Sequence, residues 1–154
     1  MIKKTISLLL LLTLVEHAMA QSRQETEDWI INQTKVNPYG LKHRIEGNEL
    51  ISRLELPSLT IGGGIIEKAI PIGQITTIAY THTNEYLSYT IQCDRPCAFL
   101  LDESDKKQSK FLFEIYKKLD ASYVPRMNTA LLHLVKLHGG KAKIVKAEAA
   151  KQAF

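Results

Sequence analysis

From Leu41 to Ile115 apolar and polar residues alternate at every second position, and turn-forming residues punctuate the runs. A period of two commits such a stretch to strands buried on one face. Leu41 to Glu46 and Glu49 to Leu56 flank Gly47-Asn48, a pair that tolerates positive φ, which predicts a hairpin. In the second run Leu50, Leu54 and Leu56 fall on one side, with Arg53 and Glu55 on the other. Beyond Pro57, Gly62-Gly63-Gly64 leads into Ile65 and Ile66, and Ile70, Ile72, Ile75 and Ile78 continue to Tyr80, which predicts two strands joined near Gly73. Thr81 to Glu85 turns the chain into Tyr86 to Cys93, where Leu87, Tyr89, Ile91 and Cys93 share a face. Asp94-Arg95-Pro96 turns it again into Cys97, Phe99 and Leu101. Asp102 to Ser109 reads as a charged loop, and Phe111, Phe113 and Ile115 form a seventh strand.

The period lengthens at both ends. Glu25, Glu27 and Asp28 precede Trp29, Ile30 and Ile31, and Lys35 comes before Asn37-Pro38, a charge order that suits one helix and its dipole. Trp29 and Val36 are spaced to share the docking face of that helix. Near the other end Met127, Ala130, Leu131, Leu134 and Leu137 recur at helical spacing, Pro125 fits the first turn, and Gly139-Gly140 stops the helix.

Two helices around seven antiparallel strands predict an α+β domain. That order resembles a pleckstrin-homology-like barrel over Leu41 to Gly140. The resemblance implies a seven-stranded antiparallel barrel or curved sheet with an N-terminal helix and a packed C-terminal helix. The run ALLHLVKLHGG from Ala130 to Gly140, taken with the tryptophan helix, resembles that of small exported bacterial proteins of unknown function. Lys42, Arg44 and Arg53 do not have the spacing of the phosphoinositide signature, so no lipid site carries over.

Ahead of the domain, Lys3 and Lys4, the apolar run Ile6 to Val15 and the small residues of Ala18-Met19-Ala20 have the order of a cleavable secretory signal. The expected division is a signal peptide over 1–20, one α+β domain over 21–140 and a basic tail over 141–154, with a periplasmic or secreted location and no transmembrane segment once the signal is removed. Between Gln21 and Gly140 there are 14 basic and 14 acidic residues, while the tail sets Lys141, Lys143, Lys146 and Lys151 against Glu148. A neutral body without a basic, aromatic-laced stripe argues against nucleic acid as partner.

Cys93 and Cys97 are the only cysteines, and in an oxidising compartment they are expected to form a disulfide stapling one hairpin. Three residues separate them, where thioredoxin-like redox pairs have two and sit at a helix N-terminus. His133 and His138 lie five residues apart, about 140° around a helix, and so make poor joint metal ligands. His138 beside Gly139 is expected to serve the helix C-terminus. The triple glycine lacks the Gly-Lys-Ser/Thr of a phosphate loop and reads as a bulge, hairpin tip or flap. No serine sits in a nucleophile elbow. These residues predict neither a catalytic centre nor a resident metal or cofactor. The binding candidates are Tyr80, His82, Tyr86, Gly62, Gly63 and Gly64, the two tyrosines because their strand positions are expected to face outward.

The expected function is a non-enzymatic exported binding module of the bacterial envelope, recognising an envelope protein, a peptide or a small apolar ligand through a sheet edge or the groove beside the last helix. One alternative is a periplasmic inhibitor or immunity protein against a toxin or hydrolase. Another is a metal-dependent enzyme built on His82 and Glu85.

Overall fold

Where the alternation begins, the chain forms the expected hairpin. Strand β1 (Leu41–Glu46) pairs with β2 (Glu49–Glu55) through the Gly47-Asn48 turn, and only Gly47 takes positive φ, +58°, as the first position of a type II′ turn requires. The computed structural model describes residues 23–56 and 64–147, so Gly62 and Gly63 lie outside the described residues, as do the signal and the end of the tail. Strand β3 (Ile65–Pro71) pairs antiparallel with β2, and a short 3-10 turn (Ile72–Gln74) leads into β4 (Ile75–His82). There follow β5 (Tyr86–Cys93), β6 (Ala98–Leu100), β7 (Glu103–Gln108) and β8 (Phe111–Tyr116). Helix α1 spans 23–32, helix α2 spans Tyr123–Leu137, and β9 (Lys143–Lys146) ends the described chain.

The architecture is α+β, as expected, but the described residues form nine strands in two sheets rather than seven in one curved sheet or barrel. One sheet has the order β1-β2-β3-β6-β7 and the other β8-β5-β4-β9. Among the described residues all pairings are antiparallel except β9 on β4, and no backbone ladder closes the two sheets into a barrel.

Two strands escaped the alternation rule for physical reasons. Strand β7, in the predicted charged loop, is an edge strand of almost wholly exposed polar residues, so it has no buried face to write a period of two. Strand β9 lies in the predicted basic tail: Ile144 pairs with Ile78, and Ala142 and Ile144 pack against the core. The domain therefore runs past Gly140, because two apolar residues between lysines are enough to seat a four-residue strand beside β4.

Helix α1 ends earlier than predicted. It ends by Asn32, so Val36 lies beyond it and is 73% exposed instead of sharing a docking face with Trp29. Ile30 makes the buried contact, with Trp29 and Ile31 partly buried beside it. Helix α2 buries Tyr123, Val124, Met127, Leu131, Leu134 and Val135 against both sheets' inward side chains, among them Ile70, Ile78, Tyr89, Phe111 and Phe113. Gly139 and Gly140 close it with a Schellman motif, their N–H groups donating to Lys136 and Val135 carbonyls at 3.0 and 2.9 Å.

The Cys93–Cys97 disulfide is present, with Cα atoms 6.1 Å apart. It does not staple a hairpin as expected. Strand β5 pairs with β4 and β8 while β6 pairs with β3 and β7, so the bridge fastens the corner where the chain leaves one sheet for the other. Both edges of β5 are occupied, by β4 and β8, so no edge is left on which β6 could fold back as a hairpin.

Candidate functional site

Side chains of β1 and β2 reach across to the outer edge of β8. Leu112 and Glu114 lie two apart, so their backbone groups point to the same side of β8, away from β5. The Glu114 N–H donates to His43 Nε2 at 3.4 Å, and the Ser52 hydroxyl donates to the Leu112 carbonyl at 3.2 Å. His43 Nδ1 and Ser52 Oγ are 2.8 Å apart. A backbone N–H can only donate, so Nε2 must be bare and Nδ1 must carry the proton. The imidazole thus donates to Ser52 rather than drawing its proton, which leaves the serine unactivated as a nucleophile. Burial pushes the His43 imidazole down to about 4. The pair stands in for a strand partner.

Beside this seam lies a groove of about 400 Å³ between the first three strands and β8. Register places Leu41, Ser52, Leu54, Ile66 and Lys68 on one face of the first sheet, and Leu112, Glu114 and Tyr116 on the outward face of β8. Leu112 is 52% exposed and Ile66 43%. The Glu114 carboxylate accepts hydrogen bonds from the Tyr86 and Tyr116 hydroxyls at 2.6 and 3.3 Å. Burial raises both phenols above their ordinary value, so they remain donors. Lys68 makes no ion pair or side-chain hydrogen bond among the described residues, and burial lowers its ammonium below the usual lysine value.

The opposite face of the first sheet is less available. Ile51, Ala69 and Phe99 are buried there beneath paired charges: Arg44 reaches Glu67 at 2.7 Å and Glu46 at 2.6 Å, and Lys107 lies over the Phe99 ring. Beside α2 there is the groove expected from sequence, about 530 Å³, between Trp29 of α1 and Pro125, Thr129 and Ala130 of α2.

The sequence candidates scatter. Tyr86 faces outward as expected, in the phenol cluster on Glu114. Tyr80 does not: it pairs with Tyr89, whose side chain is in the core, and its own ring packs inward against it, because the parity of β4 that carries Ile78 also carries Tyr80. His82 stacks at 6.2 Å on Tyr80 and lines a recess with Asp120 and Asn128, while Glu85 lines a different recess with Tyr116 and Lys117. The turn between them sends the two side chains apart. Among the described residues no three His, Cys, Asp or Glu side chains are grouped to hold a metal ion. Gly64 accepts the Leu56 N–H at 2.9 Å, at the described limit of the β2–β3 hairpin. His138 caps α2 through its backbone, and its ring binds Glu27 at 3.0 Å, with Arg23 at 3.4 Å from the other nitrogen, tying α1 to the end of α2.

Sequence reasoning missed Lys68 and Leu112. Both carry a readable sign: Ile66, Lys68 and Ile70 share one strand face, so a base interrupts an apolar stripe, and Leu112 puts an apolar residue on the outward parity of β8. Among the described residues no helix is long and apolar enough to cross a membrane. Comparison of the chain with protein-family models, with curated proteins and with solved structures finds no match.

Proposed function

We propose that this chain is a non-enzymatic binding module exported to the bacterial envelope, and that it takes a small apolar ligand into the groove between β8 and the first three strands. The observation that carries this reading is the groove itself. Leu54, Ile66 and Leu112 present apolar surface to water from two different sheets, and convergent apolar walls with a few polar groups are the usual make-up of a ligand site. The disulfide and the signal-like leader support export.

Calorimetric titration with decanol, a neutral apolar probe, tests it. One saturable site is expected, weakened about tenfold or more by Leu112→Asp, which removes apolar contact and adds a charge. Thr129→Asp in the α1–α2 groove should leave binding unchanged. Absence of saturable binding, or sensitivity to Thr129→Asp alone, refutes the assignment.

A further inference from the structure

The inference rests on the groove being the binding site and names the chemistry of its occupant. Apolar walls alone would accept any small hydrocarbon, but the inner face of β3 places an ammonium group among them. Cross-strand register sets Lys68 opposite Ser52 on β2 and Leu100 on β6, with Ile66 and Ile70 to either side on the same face. Its half-buried setting costs the ammonium part of its hydration, and no acid among the described residues repays that loss.

Glu114 is the acid that lines the same groove, yet it makes no ion pair with Lys68. Its two oxygens are turned to the Tyr86 and Tyr116 hydroxyls instead. The Ser52 hydroxyl is likewise engaged, with Leu112 and His43. Of the two charged groups in the groove, Lys68 is therefore the one without a partner among the described residues. We propose that the groove binds a monomeric carboxylate amphiphile, its chain against Leu54, Ile66 and Leu112 and its carboxylate paired with Lys68. A volume of about 400 Å³ is at the small end for ligand sites, which fits a single short-chain molecule rather than a bilayer lipid.

The test compares decanoate, decanol and decylammonium by calorimetry on the same protein at pH 8, below the critical micelle concentration of each. Decanoate is expected to bind about tenfold or more tightly than the other two, the gain of a charge-assisted hydrogen bond. Lys68→Met should bring decanoate down to the level that decanol shows on the same variant, and Lys68→Arg should keep the preference. Equal binding of decanoate and decanol, or a preference that survives Lys68→Met, overturns the carboxylate assignment and leaves the apolar groove standing. If none of the three binds, the groove reading itself fails. Should Lys68→Met not fold, the ranking of the three probes on the unaltered protein still decides between these outcomes.

Discussion

His43 spends one ring nitrogen on β8 of the second sheet and the other on Ser52 of its own, and that gives it a titration signature. The unfolded chain takes up a proton near 6.5, whereas the folded chain resists until about 4, because protonation would place an N–H against the Glu114 N–H inside a desolvated seam. Between those values the unfolded state binds more protons, so stability is complete above pH 6.5 and declines as the pH falls toward 4. The loss should be about 3 kcal/mol at most, read as the change in urea unfolding free energy across that range. His43→Gln should reduce the slope, leaving the contributions of His138, whose imidazole burial also pushes below its ordinary value, and of Glu55 and Glu67, whose carboxyls Lys42 and Arg44 hold below theirs. A slope unchanged in the variant would mean that other groups set the pH dependence. Such a role is not written in the local sequence. Alternation puts His43 on the inward side of β1, but its partners are nine and 71 residues away.

At the scale of elements, the join between α2 and the β3–β4 corner is a contact of backbone on backbone. A Cβ on Gly140 would lie 2.6 Å from the Gly73 carbonyl oxygen and 2.8 Å from Val135 Cγ1, and a Cβ on Gly73 would lie 2.5 Å from the His138 oxygen. Both glycines are there to allow close approach. Gly140→Ala should therefore destabilise the fold by about 1–3 kcal/mol, seen as a drop of several degrees in Tm. The helices, the first hairpin and most strands of both cores were legible, since each writes its own period in the sequence. Strands β7 and β9 were not: one buries no face, and the other depends on Ile78, some 66 residues earlier, to give Ile144 a neighbour. The cysteine pair was legible as a pair, but its place at a sheet-to-sheet corner depends on β8 already occupying the edge of β5.

For the whole molecule, two sheets share one core, wrapped by α2 and fastened by side chains and one disulfide instead of a continuous ladder. The proposed location follows from that disulfide and from the leader, and one intact-mass measurement on native material checks both. The expected species starts at Gln21 and is lighter by the hydrogens lost on disulfide closure. An intact leader or reduced sulfurs would remove the case for export. The groove was harder to anticipate than the core, because its walls come from β1, β2, β3 and β8, and only their meeting makes Lys68 and Leu112 neighbours of one space.

The imidazole and hydroxyl that stopper β8 also decide how the molecule meets its own kind. While they are seated, the edge of β8 offers a second chain no bare row of donors and acceptors on which to dock. Acid that charges the ring unseats the stopper, and the exposed rung then invites strand-to-strand assembly, so the conditions that loosen the fold are also those that make it sticky.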